Sequence, residues 1–415
     1  MKASAGKILM LLENAFPQDS RVSHEAFHLS SLGYQVTIIA QRWKDQSFKE
    51  TLKGVRIFRI PEVNLFKKSN LKSSRLHTLW YNLVSTAGYI FEYFYFTLGC
   101  FLLSLFINLR YGFQVLHLHN PPNTLVFIAA FYRLFGKKFV FDHHDLSAEL
   151  FLSRYGKKGG LIYRYLLFEE KVCLRLANLI IATNESYKAI DMARGKRSDR
   201  DIFVVRNGPS KEDMKPPIRR RASGKMNKNL LVYIGIMGPQ DGVDYLLNAL
   251  AHLIYKLNRK DVHTVIIGTG DSLPDLRIMC SDLGLDEYVR FTGYIPKSEL
   301  LSYLSAADIC LDPNPSNPLN DYSTWIKVME YMSFGKPMVS FDLKETRYSA
   351  REAAVYVEPN NIEEYAVAIR DLLDDPIRRT KMGRYGYQRV WSELSWEHVS
   401  KNLTAAYQTL FNPEY

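Results

Sequence analysis

Cysteine is scarce in this chain: Cys100, Cys173, Cys280 and Cys310 are the four among 415 residues, scattered and without a CxxC pair. That spacing excludes a disulfide framework and a cysteine-based zinc site, and it fits a reducing compartment. Low-complexity tracts are also missing. With 47% hydrophobic and 23% charged residues the composition is that of a globular protein, not a disordered one. Positive excess is absent from the second half: residues 206–415 hold 26 Lys and Arg against 27 Asp and Glu, whereas residues 1–205 hold 28 against 16. The whole net charge of +11 therefore belongs to the first half, which expects a polyanionic partner, either nucleic acid or an anionic membrane surface. The opening MKASAGKILMLLEN runs into a strand pattern with no signal-cleavage site, so a cytosol-facing protein is expected.

What the chain does have is strand-length apolar runs alternating with helix-length segments. In the first half they are Lys7–Asn14, Gln35–Gln41, Val55–Ile60, Val115–His119, Phe139–Asp145, Leu179–Thr183 and Ile202–Gly208. In the second they are Leu230–Gly238, Val262–Gly270, Val289–Ile295, Ala307–Pro313, Lys336–Asp342 and Ala354–Glu358. Continuous apolar strands separated by helices signal buried parallel sheets. Two such series predict an α/β protein of two doubly wound domains, 1–210 and 230–390. A polar, basic linker at 211–229 (KEDMKPPIRRRASGKMNKN) joins them, and a helix in 391–415 packs back toward the first domain. Ligands bind outside the carboxyl ends of such strands, so the expected site is a cleft faced by both domains.

Residues 79–109 carry one charge, Glu92, and ten aromatic residues. The segment is long enough to span a bilayer, but strands expected on both sides of it belong to one sheet, so a single crossing is excluded. Two readings remain: helices lying in or dipping into the membrane interface as a hairpin, or apolar helices buried in the domain. Flanking Lys67, Lys68, Lys72, Arg75 and Arg110 favour anionic headgroups.

The strongest constellation is DYSTWIKVMEYMSFGKP, Asp321–Pro337. Ser323 reads as an N-cap, Gly335 and Pro337 as terminators. Ser323, Lys327 and Glu330 fall on one helical face. A helix N-terminus with Lys327 suits a diphosphate, and Glu330 suits the two hydroxyls of a ribose; an i,i+3 surface pair fits the spacing equally. The run STWIKVMEYMSFGKPMVSFDLKE resembles the donor-site signature of the retaining family 4 glycosyltransferases, which have the GT-B fold of two Rossmann-like domains. FPQDSRVSHEA, HNPPNT, FDHHDLSAE, VVRNGP, YIGIMGPQDGVDYLL, IIGTGD, VRFTGYIP and ADICLDPNP follow in the family's order. Within the family, the similarity is to enzymes of bacterial exopolysaccharide or O-antigen biosynthesis.

The resemblance implies a metal-independent transferase moving a sugar from a nucleotide-sugar, most often a UDP-sugar, to a lipid-linked saccharide or polysaccharide. The apolar, base-flanked segment 79–109 and the basic first half add the expectation of peripheral attachment to the inner face of the cell membrane. His144, Asp145, Lys327 and Glu330 take the catalytic roles, Glu330 being the second glutamate of the family's E-x7-E motif. Arg206, Asn207, Gly238, Thr292, Gly293, Tyr294, Ile295, Asp321, Tyr322, Ser323 and Thr324 join them around the donor. Asp19, Arg21, His119, Asn120, His143 and Glu149 fall on the acceptor side. Three departures stand out. Tyr322 occupies the place of the first glutamate, and Ile236 and Asp241 occupy those of the family's Arg and Lys. Lys327, Arg206 and the Ser323 and Thr324 hydroxyls are then expected to offset the phosphates.

No cofactor and no metal are expected. His117 and His119 alternate with leucines, so one is read toward the cleft and the other toward the core, without a visible third ligand. Gly268-Thr269-Gly270 lacks the third glycine of a dinucleotide fingerprint. Arg219-Arg220-Arg221 reads as a solvated linker, and no nucleic-acid partner is expected. The rival readings are a nucleotide-sugar epimerase of the same fold, which would not need 79–109, and a non-catalytic assembly subunit.

Overall fold

A computed structural model describes residues 5–63, 75–156, 160–214 and 228–411. The chain divides into two compact units. The first comprises Met1–Ala148, Gly159–Val205 and Ser400–Tyr415; the second comprises Glu149–Lys158 and Arg206–Val399. Lys67, Lys68, Lys72 and most of the expected linker, including Arg219–Arg221, lie outside the described residues.

The first unit is built on β1 (Lys7–Ala15), β2 (Gln35–Arg42), β3 (Lys49–Leu52), β4 (Val55–Pro61), β5 (Val115–His119), β6 (Lys138–His143), β7 (Leu179–Ala182) and β8 (Ile202–Val204). Their order in the sheet is β3-β4-β2-β1-β5-β6-β7-β8. All pairings are parallel except β3 with β4. That hairpin turns on Lys53 and Gly54, both at positive φ, as a two-residue hairpin requires. β3 is short, polar and mostly exposed, so no apolar pattern announced it.

The helices of this unit are α1 (Ser20–Ser31), α2 (Arg75–Arg110), α3 (Val126–Arg133), α4 (Ser147–Tyr155), α5 (Leu161–Leu176) and α6 (Glu185–Gly195). α4 passes into the second unit. α2 runs unbroken, which replaces the hairpin reading of 79–109. Its buried face, Phe96, Cys100, Ser104 and Ile107, recurs every three to four residues. Phe106 meets the Phe58 ring at 6.2 Å and Phe101 meets Phe131 at 5.1 Å.

The second unit holds β9 (Asn229–Ile234), β10 (Val262–Ile267), β11 (Val289–Gly293), β12 (Ile309–Asp312), β13 (Met338–Phe341) and β14 (Ala354–Val357). They form an all-parallel sheet in the order β11-β10-β9-β12-β13-β14. Around it lie α7 (Val243–Ala251), α8 (Leu273–Asp282), α9 (Lys297–Ala306), α10 (Ile326–Ser333), α11 (Lys344–Ala350), α12 (Ile362–Asp374) and α13 (Pro376–Arg389). A last helix, α14 (Trp396–Phe411), enters the first unit from Ser400 onward. There Thr404 Oγ1 lies 2.8 Å from His28 Nε2.

In each sheet the strand order reverses once, between β1 and β5 and between β9 and β12. Such a reversal opens a crevice at the carboxyl ends, because the helices leave on opposite faces.

Candidate functional site

In the second unit the crevice is framed by the loop after β9 and the segment between β12 and α10. Tyr331 pins α10 there: its hydroxyl accepts from the Ile234 N–H at 3.0 Å and donates to Leu311 O at 3.1 Å. The helix begins at Ile326, two residues later than Ser323 as cap would require. Ser323 Oγ instead donates to Leu319 O at 2.8 Å, closing the turn before the helix. The residue at the cap position is Trp325, whose side chain makes no capping bond. The first-turn N–H groups therefore keep their attraction for an anion.

Lys327 is on that first turn. Its ammonium is 3.4 Å from Asp312 Oδ1 and lies over the rings of Tyr233 (4.8 Å) and Trp325 (5.3 Å). The surface pair with Glu330 is absent. The Glu330 carboxylate has no hydrogen bond or ion pair among the described residues, and burial pushes its pKa up to about 7 against the pull of Lys297 and Lys327. It is thus an acceptor held in reserve.

Arg206 does not stand free. Both terminal nitrogens lie 3.3 Å from Glu345 Oε2 and the guanidinium stacks 4.0 Å from the Tyr348 ring. Thr324 Oγ1 reaches the same carboxylate oxygen at 3.5 Å. Gly208, next to Asn207, packs so closely that a Cβ would meet Leu394 O at 2.1 Å. Asp241 turns inward and its Oδ2 accepts the Gly238 N–H at 2.9 Å, while burial raises its pKa. Ile236 is 68% exposed. Thr292, Gly293, Tyr294 and Ile295 form the turn from β11 toward α9, with Tyr294 exposed. Asp321 Oδ1 accepts from Ser316 Oγ at 2.9 Å, and Tyr322 is partly exposed. A cavity of about 380 Å³ lies beside Gly238 and Pro239. A larger hollow of about 680 Å³ along α13 contains none of the expected residues.

In the first unit, Asn120 organises the turn after β6. Its Oδ1 accepts the N–H of His144 (2.8 Å) and of Asp145 (3.2 Å), and its Nδ2 donates to Asp145 O at 2.7 Å. Burial lowers the His144 pKa to about 4, with Arg21 acting in the same direction and Asp142 against it. A neutral imidazole can accept or pass one proton but carries no charge at working pH. Asp19 Oδ1 caps α1 through the Val22 N–H at 3.0 Å, while Glu149 is buried on the part of α4 that belongs to the second unit.

Three residues expected on the acceptor side have internal partners instead. Arg21 grips Asp142 through Nε (3.0 Å) and Nη2 (2.6 Å) and Val205 O through Nη1 (2.9 Å). His119 Nδ1 is 2.8 Å from Asp142 Oδ2. His143 Nδ1 is 2.6 Å from Asp191 Oδ1, with Glu170 behind. Burial alone would depress the His143 pKa, but those carboxylates raise it to about 9. Likewise His117 does not split from His119 across the sheet. Residues i and i+2 of a strand share a face, and the two rings lie 4.2 Å apart.

Glu345 and Asp312 were missed as site residues. Both stand in runs that carry the resemblance, SFDLKE and ADICLDP, but only the fold brings them to Arg206 and Lys327.

Two family models match this chain. Residues 20–211 match "Glycosyltransferase Family 4" and residues 228–375 match "Glycosyl transferases group 1". The chain belongs to glycosyltransferase family 4. A Corynebacterium glutamicum protein, "GDP-mannose-dependent monoacylated alpha-(1-6)-phosphatidylinositol monomannoside mannosyltransferase", is 28% identical over 50% of this chain and 54% of its own length. "Alpha-D-kanosaminyltransferase" of Streptomyces kanamyceticus is 27% identical over 46% and 48%. The chain spans about half the length of these curated relatives. Among solved structures, sucrose-phosphate synthase from Thermosynechococcus elongatus superposes with a TM-score of 0.75 at 18% identity, covering 98% of this chain and all of that one. Anabaena Alr3699/HepE in complex with UDP-glucose gives 0.68 at 16% identity, covering 98% and 99%. At those identities the likeness is one of fold, the GT-B pair of Rossmann-like units.

Proposed function

We propose that this chain transfers a glycosyl group from a nucleotide-sugar to an acceptor, retaining the anomeric configuration and using no metal at the donor phosphates. The observation that carries the reading is α10. Its uncapped N-terminus, Lys327 on the first turn and the unpaired Glu330 carboxylate offer, in one helix, an anion site and a diol acceptor. As the glycosidic bond breaks, negative charge grows on the departing diphosphate. A fixed helix N-terminus and a held ammonium stabilise that charge more than the ground state, which is what lowers the barrier. His144 and Asp145, braced by Asn120, would orient the acceptor hydroxyl and take up its proton.

A uridine donor rests on the family resemblance; the relative named for GDP-mannose makes guanosine the competing arm. Nucleotide release from a panel of UDP-, GDP- and ADP-sugars, with EDTA and a membrane extract as acceptor, tests both. Turnover of one donor under EDTA is expected, and absence of any nucleotide binding would sink the reading.

The acceptor is proposed to be lipid-linked, presented at the inner membrane face where the chain docks peripherally. Opposite its buried face α2 exposes Phe91, Phe94, Leu98, Leu102, Phe106 and Leu109 at helical spacing. The segment Phe91–Arg110 is only 22% buried, so one side of the helix packs as core and the other is left exposed. Phe127, Leu134 and Phe135 at α3, with Leu161, Ile162, Tyr165 and Phe168 on α5, continue the apolar exposure beside Arg110, Arg133, Arg164 and Arg175. Soluble surfaces rarely leave so many large apolar side chains together, and basic neighbours suit anionic lipid. Replacing Phe94, Leu98 and Leu102 by serine should abolish sedimentation with anionic liposomes. Unchanged binding would refute the docking face.

A further inference from the structure

We propose that Glu25, His117 and His119 form a buried binding site for one first-row divalent metal ion of the zinc type, wholly inside the first unit. The proposal is independent of the glycosyl-transfer reading, and it revises the expectation that the two histidines lack a third ligand.

The residues come from adjoining elements. His117 and His119 project from the same face of β5, and Glu25 comes from α1. Asp142 stands on β6 directly opposite His119 in the strand register. All four are fully buried, and one ligand-capable atom from each lies within 4.8 Å of the others. Nε2 of His117, Nε2 of His119 and Glu25 Oε2 have no hydrogen-bond partner, and Glu25 Oε1 has only its ion pair with Arg21. Leaving each such group unsatisfied costs about 1–3 kcal/mol, and a concentration of them at one point calls for a ligand.

The opposite edges of the rings are satisfied in the way metal-bound histidines require. His119 Nδ1 is 2.8 Å from Asp142 Oδ2, and His117 Nδ1 is 2.8 Å from the Tyr407 hydroxyl on α14. An imidazole whose Nδ1–H is held by a carboxylate or hydroxyl presents its Nε2 lone pair to the metal. Asp142 is an orienting group and not a ligand, since Arg21 occupies both of its oxygens. Arg21 Nη2 also faces Glu25 Oε1 at 3.3 Å, which leaves Oε2 for the ion. Glu25 Oε2 and His117 Nε2 are 3.9 Å apart. Ligand bonds of about 2.0–2.1 Å in a tetrahedron put neighbouring ligand atoms about 3.4 Å apart, so this pair closes by about half an ångström, and the ligand atoms as a set, within 4.8 Å of one another, draw together around the ion. Two imidazoles and a carboxylate suit zinc or ferrous iron and disfavour calcium and magnesium, which prefer all-oxygen shells. A hydroxide in the fourth position offsets the positive charge left by the ion and Arg21. Through Tyr407 the ion would clasp β5 and α1 to the terminal helix, a structural role.

The test uses the full chain, expressed with added zinc and purified without chelator or metal-affinity resin. Elemental analysis should find about one zinc per chain, as for a folding-coupled site. Cobalt added to the chelator-treated protein should give the visible bands of a tetrahedral nitrogen and oxygen site. Glu25→Gln and His117→Gln should each lose at least nine-tenths of the metal. Folded wild-type protein with no zinc and no cobalt bands would overturn the proposal and assign the unsatisfied atoms to internal water. Retention of stoichiometric metal by both variants would overturn the location. If neither variant folds, the wild-type cobalt spectrum decides by itself: bands support the site, and their absence refutes it.

Discussion

The Glu330 carboxyl makes a quantitative claim. Its pKa stands at about 7 because burial penalises the charged form. In the family reading it is the ionised carboxylate that accepts the ribose hydroxyls. The folded value lies above that of an unfolded glutamate, so ionisation costs the empty fold stability as pH rises through 7, and bound donor returns part of that cost. If only the ionised form binds, its population falls from about ten-elevenths at pH 8 to about one-eleventh at pH 6, a loss of roughly tenfold, about 1.4 kcal/mol. An intact nucleotide-sugar is the right ligand, since its doubly esterified diphosphate does not titrate there. Calorimetric titration at the two pH values should show the tenfold change in wild type and a flat profile in Glu330→Gln. Glu330→Ala should lose about 1.5–3 kcal/mol of affinity, the range for hydrogen bonds to a charged group, with its thermal midpoint preserved. The same pH slope in Glu330→Gln, or undiminished affinity in Glu330→Ala, would refute the assignment.

Other consequences can be measured without substrate. His143, raised to about 9 by Asp191 and Glu170, contributes stability fully below the unfolded value near 6.5 and loses it as pH rises through 9. Chemical denaturation should therefore give a lower unfolding free energy at pH 10 than at pH 7, and His143→Ala should cost about 3–5 kcal/mol by stranding the carboxylates. His144, held near 4, should show that midpoint in an NMR titration of its ring; an ordinary midpoint near 6.5 would contradict its burial. Gly208→Ala would drive a methyl group into Leu394 O, and at least 1–3 kcal/mol of destabilisation is expected, as for overpacking. A thermal midpoint equal to wild type would mean that this approach is looser than it stands.

The strands were legible because parallel sheets bury both faces, so each strand writes itself as an unbroken apolar run; β3, polar and at an edge, left no such trace. The site was legible only to the level of the turn. Periodicity put Lys327 and Glu330 on one helix but started that helix at Ser323, because a serine closing the preceding turn through Leu319 looks the same in sequence as a serine capping the helix. Motif order brought Arg21, His119 and His143 to the carboxyl edge of the first sheet. It could not distinguish a side chain aimed at solvent from one aimed at Asp142 or Asp191, since those pairings join residues far apart in the chain. The same limit governs the donor phosphates. The loop after β9 supplies no cation, with Ile236 exposed and Asp241 bound to the Gly238 N–H. Lys327 and Arg206, the cations expected to replace it, already face Asp312 and Glu345. If Lys327 and Arg206 hold the donor phosphates, as proposed, a dianionic donor draws both cations from standing carboxylate partners. Part of its binding energy goes into breaking those pairs, and a neutral analogue with the same ribose would not bear that cost.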